Sequence, residues 1–168
     1  MFIRSYGLFW ERDEVSWYPG KGKRDFRLLG RRNRNNGHLR VADFRRQVGI
    51  YILYSDYGPC YAGQTQKMGL GKRLGNHTTD HLAKLWHRFS WFGFCEVKKE
   101  TNDHGMCLLK DAPPEIATGS SVETISDAEA LLIKAMGLRN INTKNFTKAE
   151  EWRQVERHEL DEIMAKLQ

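Results

Sequence analysis

The chain has 168 residues, 40% apolar and 29% charged, enough for one ordinary domain with a core and too apolar for wholesale disorder. No apolar run approaches the ~18 residues that cross a bilayer, and MFIRSYGLFWERDE has no apolar stretch ahead of its charges, so neither a membrane span nor a secretory signal is expected. The net charge of +6 is local: residues 21–46 hold ten basic side chains against two acidic ones, an excess of eight, which leaves the remainder at −2. Such a patch suits a polyanionic partner better than a uniformly basic protein would, although a solvated arginine-rich loop has the same composition.

Cys60, Cys95 and Cys107 form no CxxC pair, which argues against a disulfide framework and a zinc ribbon. Reduced thiols in a cytoplasmic protein are the simplest reading. Cys60 and Cys95, in apolar stretches, read as small core residues.

In chain order, residues 6–17 (YGLFWERDEVSW) read as a β-hairpin, two aromatic runs around a charged turn. Residues 25–30 suggest a short strand, and 31–38 (RRNRNNGH) a polar loop. Residues 1–45 thus form a β-rich basic appendage. VGIYILY at 48–54 is a dense run of β-formers, read as a buried strand, with a hairpin partner starting at 60–63 after Asp56, Gly58 and Pro59. Residues 74–86 read as a helix, 89–97 (FSWFGFCEV) as a third strand, and 98–123 as a long connection with a hairpin around 106–109. SDAEALLIKAM at 126–136 reads as a helix with Ser126 as N-cap and Gly137 beyond its end. Residues 147–168 read as an amphipathic helix with Trp152, Val155, Leu160, Ile163 and Leu167 along its stripe. The fold class expected is α+β, a small antiparallel three-stranded sheet flanked by helices. The organisation is an appendage at 1–45, a central domain at 46–146 and a C-terminal helix at 147–168.

Several polar residues stand out. Tyr51 lies in the first buried strand, and Tyr61 opens its partner, with Gly63 permitting close approach. Arg73, His77 and His81 follow at helical spacing of four. Glu129 sits beside an apolar run. Each has an ordinary alternative: strand aromatics, solvated charges, or an acid near a helix N-terminus. His77 and His81 could share a zinc, but HTTDH lacks the Glu of HExxH and no third ligand is obvious. Trp86 and Trp91 read as core.

Taken in order, Gly49-Ile50-Tyr51, then Tyr61-Ala62-Gly63, then Arg73 and His77 in GKRLGNH, Glu129 in AEALLIKAMG and Asn142 in NINT, the chain resembles the GIY-YIG nuclease superfamily over roughly residues 46–146. Ala62 stands where the family name has Ile, an apolar exchange. The resemblance implies a divalent-metal-dependent endonuclease that hydrolyses phosphodiester bonds in nucleic acid, DNA favoured over RNA. It implies that Glu129 holds one divalent metal, Mg²⁺ or Mn²⁺, since one carboxylate plus waters and phosphate oxygens suffices. Arg73 would contact the scissile phosphate with its planar fork. Tyr51 would act as general base, which needs a nearby cation because a free phenol ionises near ~10. Tyr61 would orient water or phosphate or exchange roles with Tyr51, and His77 would relay a proton. Asn142 would support the site, with Asn140 and Asn145 as neighbours of similar promise. Lys72 would touch the phosphate backbone, and Arg31, Arg32 and Arg34 in the basic segment would clamp it. A homodimer is the easiest route to double-strand cutting. The rival reading is a non-catalytic nucleic-acid-binding module on the same scaffold. No zinc-finger or helix-turn-helix signature accompanies the core.

Overall fold

A computed structural model describes residues 2–17, 27–34, 37–65, 68–113, 120–137 and 143–167. Among the described residues the architecture is α+β, with two mixed five-stranded sheets and three helices. The strands are β1 (Ser5–Glu11), β2 (Leu29–Arg32), β3 (Arg40–Asp43), β4 (Gly49–Ser55), β5 (Gly58–Thr65), β6 (Arg88–Gly93), β7 (Val97–Thr101), β8 (Cys107–Leu109), β9 (Glu150–Glu151) and β10 (Arg153–Gln154). The helices are α1 (Gly69–Asn76), α2 (Ser121–Met136) and α3 (Leu160–Ala165). No helix among the described residues is long and apolar enough to cross a membrane.

The first sheet runs β5-β4-β6-β1-β9. The three strands expected from the sequence are therefore present, with β4 central, but they form part of a wider sheet. VGIYILY carries apolar residues at successive positions because both faces of β4 are covered. Tyr51 and Leu53 join a core with Leu70, Leu74, Leu82 and Trp86, on the face that carries α1. Ile52 and Tyr54 join a second core with Ala130, Ala135 and Phe146, on the face that carries α2. The second sheet runs β10-β2-β3-β8-β7, and its β7–β8 pair is the expected hairpin near 106–109.

Several local expectations fail for physical reasons. Residues 6–17 are not a hairpin: β1 pairs antiparallel with β6 and parallel with β9, and the charged segment Arg12–Glu14 makes a 3-10 turn. Arg12 fixes that turn by donating to the carbonyls of Ala83 and Trp86 (2.5 and 3.1 Å) while its guanidinium lies 4.6 Å over the Trp86 ring. Arg31 and Arg32 belong to β2 and not to a loop. The expected helix over 74–86 spans Gly69–Asn76 and then gives way to turns. The Thr78 and Thr79 hydroxyls bond back to the carbonyls of Gly75 and Asn76, and an Asp80 carboxylate oxygen takes the Leu82 N–H (2.8 Å), so side chains replace the helical ladder. Leu82 and Trp86 are buried all the same.

The C-terminal stretch is likewise not one helix. The open edges of both sheets recruit it: Trp152 N–H bonds the Tyr6 carbonyl (2.8 Å) and Val155 N–H the Leu29 carbonyl (2.9 Å). Trp152, wholly buried, packs its ring against Phe44 at 5.2 Å. Only Leu160–Ala165 remains helical, after a 3-10 turn at Arg157–Glu159. Conversely α2 starts earlier than Ser126, because Ser120 and Glu123 form a reciprocal capping box. Glu129 therefore lies in the third turn, and a helix-dipole role in the first turn is excluded. Cys95 and Cys107 are buried, whereas Cys60 is exposed on the edge strand β5; all three thiols are free.

Candidate active site

The site grows from the two motif strands. Tyr51 faces Gly63 across the β4–β5 ladder. Gly63 leaves the space that the phenol fills, since a Cβ there would overlap the Tyr51 hydroxyl and ring, coming within 2.8 Å of Cε1. Gly49 meets the same kind of demand at the strand entrance, where a Cβ would overlap the Phe92 carbonyl. Just before it, the buried Gln47 side chain accepts from Val48 and Cys95 N–H and donates to Ser5 and the Cys95 carbonyl. Its own carbonyl takes the Leu70 N–H (2.9 Å), which fixes the start of α1 against the start of β4.

That anchoring brings Arg73 and His77 over Tyr51. His77 Nε2 lies 2.7 Å from the Tyr51 hydroxyl, and Arg73 Nε donates to the same oxygen at 3.2 Å. The Tyr61 ring flanks them, 6.1 Å from Tyr51 and 5.1 Å from His77 between ring centres. Four of the residues singled out in the sequence thus converge. Asp80, which the sequence reading passed over, joins them: its Oδ2 lies 2.6 Å from His77 Nδ1. The one signal for it was a carboxylate three residues after the histidine, in a segment whose two histidines drew the reading. His77 is nearly inaccessible to solvent (3%) and Tyr51 wholly so (0%). Burial pushes the Tyr51 phenol up to about 12, and the Arg73 guanidinium counteracts only part of this. Asp80 is held below the usual carboxylate range: its burial opposes ionisation, but the Leu82 N–H and His77 outweigh that.

Hydrogen-bond directions follow from the partners' chemistry. Arginine has no acceptor, so the phenol oxygen accepts from Arg73 and its own hydrogen is free for His77 Nε2. An ionised Asp80 requires a hydrogen on Nδ1. With Asp80 ionised and the imidazole neutral, these contacts run as a directed chain: Arg73 to Tyr51, Tyr51 to His77, His77 to Asp80.

The other candidates lie elsewhere. Glu129 is exposed on α2, the helix on the opposite face of the sheet, and its carboxylate is paired with Lys144 (2.5 Å). It makes no hydrogen bond to Tyr51, Arg73 or His77 among the described residues. As a donor, a single solvent-facing carboxylate suits a hard cation with several retained waters, provided Lys144 gives way. No group of three or more His, Cys, Asp or Glu side chains able to hold a metal occurs among the described residues. Asn142 and Asn140 lie outside the described residues; Asn145 is exposed and accepts from Lys134 (2.8 Å). His81 is exposed.

Arg31, Arg32 and Arg34 all have carboxylate partners. Arg31 holds the buried Glu159 at 2.8 Å, Arg34 reaches Glu159 and Glu162 at 3.7 and 3.5 Å, and Arg32 pairs with Glu150. They line a cavity of about 360 Å³ with Asn33, Glu151 and Arg153. Lys72 and Arg46 are exposed instead. They belong to two elements that pack together, because Gly69 and Gly71 let α1 lie on the Phe44–Arg46 turn; a Cβ on Gly71 would stand 3.0 Å from Arg45 Cβ. Trp86 and Trp91 are core residues.

Compared with family models, curated proteins and solved structures, the chain matches none.

Proposed function

We propose that the protein is a divalent-metal-dependent endonuclease that hydrolyses phosphodiester bonds in nucleic acid, with DNA favoured over RNA. The observation that carries this reading is the buried contact of Tyr51 with both His77 and Arg73, at the place where the two tripeptide motifs face each other. A phenol is a poor base at neutral pH, and burial makes this one poorer. A histidine that can take the phenolic proton and a guanidinium beside the oxygen are the two groups that make phenolate accessible. Arg73, with its remaining N–H groups, is suited to a phosphate oxygen next to that phenol.

In the proposed reaction the Tyr51 proton passes to His77 Nε2. The phenolate oxygen removes a proton from water, whose oxygen bonds to phosphorus. The bond from phosphorus to the leaving sugar oxygen breaks, that oxygen takes a proton from solvent, and His77 gives its extra proton back to solvent. Tyr61, beside the phenol, orients the water or the phosphate. The resemblance assigns Mg²⁺ or Mn²⁺, which when bound would neutralise phosphate charge, to Glu129; across the sheet from the phenol cluster and paired with Lys144, that carboxylate does not fit a metal sharing the phosphate with Tyr51. Lys72 and Arg46 would follow the backbone beside the cut, and Arg31, Arg32 and Arg34 would add to this only by exchanging glutamate for phosphate.

The pairing of Glu129 with Lys144, away from the phenol cluster, favours the second reading: a nucleic-acid-binding module on this scaffold that does not cleave. One experiment separates the two. Purified protein is incubated with Mg²⁺ or Mn²⁺ and a panel of plasmid, branched, single-stranded and RNA substrates, beside Arg73→Ala and Glu129→Ala. Cleavage by the native protein alone, with circular dichroism unchanged, is expected. Full activity in either variant refutes the assignment, and tight binding without cleavage on any substrate favours the module.

A further inference from the structure

We propose that Asp80 is a positioning residue, which holds His77 in the tautomer whose Nε2 accepts the Tyr51 proton. What the relay is used for rests on the nuclease reading; the tautomer does not. The ordinary role for an aspartate in such a segment is to shape a turn, and the Asp80 Oδ1 bond to Leu82 N–H does that. A turn needs only that oxygen. The second oxygen, Oδ2, is spent on His77 Nδ1 at 2.6 Å, a charge-assisted distance.

The surrounding segment is built to keep this geometry. Asp80 N–H bonds the Asn76 carbonyl (3.1 Å), and the Trp86 indole N–H bonds the His77 carbonyl (3.0 Å). The imidazole is thereby gripped at its backbone and at both ring nitrogens. The groups that face it are Tyr51, Tyr61 and Asp80, with Arg73 beyond the phenol.

Proton accounting then gives Asp80 its role. In the resting site Nδ1 carries hydrogen toward Asp80 and Nε2 is a free acceptor. When the Tyr51 O–H bond breaks, its proton goes to Nε2, and the imidazolium is stabilised by the carboxylate already in contact with it. Asp80 stays ionised throughout. Without it, a hydrogen on Nδ1 has no carboxylate to accept it, and only the phenol hydrogen favours an open Nε2. The Nε2–H tautomer would donate to the phenol oxygen and could not take its proton.

The test is Asp80→Asn, which retains an oxygen for Leu82 N–H and offers an amide N–H to His77 Nδ1. In ¹⁵N-labelled native protein at neutral pH, His77 is expected to carry hydrogen on Nδ1 and not on Nε2. In Asp80→Asn the hydrogen moves to Nε2. With Mg²⁺ and a cleaved substrate, kcat in Asp80→Asn falls by roughly 100-fold or more, the usual scale for losing a proton-transfer group, while KM is little changed. Hydrogen on Nε2 in the native protein overturns the proposal, whether or not the variant folds. So does full kcat in Asp80→Asn, or a loss of kcat with the native tautomer retained. If the native protein cleaves nothing yet both tautomers are as expected, the nuclease reading fails and the positioning role stands.

Discussion

Replacing Gly63 by alanine tests the geometry of the phenol site without assuming any activity. The added methyl would occupy the space of the Tyr51 hydroxyl and Cζ, closer than the 3.0 Å that real Cβ atoms essentially never breach. The obstacle is a wholly buried ring wedged among Leu70, Leu74 and Trp91, so it cannot swing aside freely. Overpacking of this kind costs about 1–3 kcal/mol. Displacing the hydroxyl from His77 and Arg73 adds about 1 kcal/mol. A destabilisation of about 2–4 kcal/mol is therefore expected, or roughly 4–16 °C in Tm for a chain of this size. Urea and thermal unfolding followed by tryptophan fluorescence read both quantities. Gly75→Ala is the matched control: in α1, with nothing within 4 Å of its would-be Cβ, it should be neutral or slightly stabilising. In a Tyr51→Ala background the ring is gone, and the cost of Gly63→Ala should vanish as coupling energy. A Gly63→Ala protein within about 0.5 kcal/mol of native, or a penalty that persists without Tyr51, refutes the reasoning.

Glu159, 2% exposed, has its carboxyl held below the usual glutamate range: burial opposes ionisation, but Arg31, the Glu156 N–H and Arg34 outweigh it. Its contribution is present above the ordinary glutamate pKa of ~4.3 and disappears as pH falls through the lower folded value. Glu159→Gln should cost about 1–3 kcal/mol at pH 7 and flatten the acid limb of a Tm-against-pH profile; an unaltered acid limb would count against it. For backbone contacts, Arg46→Ala with Lys72→Ala should lower the salt-dependence slope of nucleic-acid binding by about 2. Arg31→Ala with Arg34→Ala should reduce Tm and leave that slope alone, and the reverse pattern would return the clamp to the second sheet.

What the sequence disclosed was mostly what neighbours in the chain decide. The β4–β5 hairpin, β6 and the body of α2 follow from residues within a few positions of each other, whereas Tyr51, Tyr61, Arg73 and His77 stood out as a set only through the ordered motifs of the resemblance. What it concealed depended on distant partners. Nothing in RRNR says that its charges meet Glu150, Glu159 and Glu162 more than 100 positions later. Nothing in the amphipathic pattern around Trp152 says that two sheet edges are waiting to pair with it. Asp80 was hidden differently: HTTDH invites a reading as a histidine pair, and only a helix that stops at Asn76 turns the aspartate back onto His77.

The interleaving of the two ends of the chain has a consequence for how the protein is made. β1 leaves the ribosome before its partners, and β6 and β9 follow about 80 and 145 residues later. At roughly 5–20 residues per second, the second edge of β1 stays open for roughly 7–30 s. Until Trp152 arrives to close it, the nascent chain presents an unpaired aromatic edge, and a chain interrupted before that residue would carry the edge permanently. Self-association of interrupted chains is thus built into the topology, with the segment around Glu150–Trp152 as the closure that ends it.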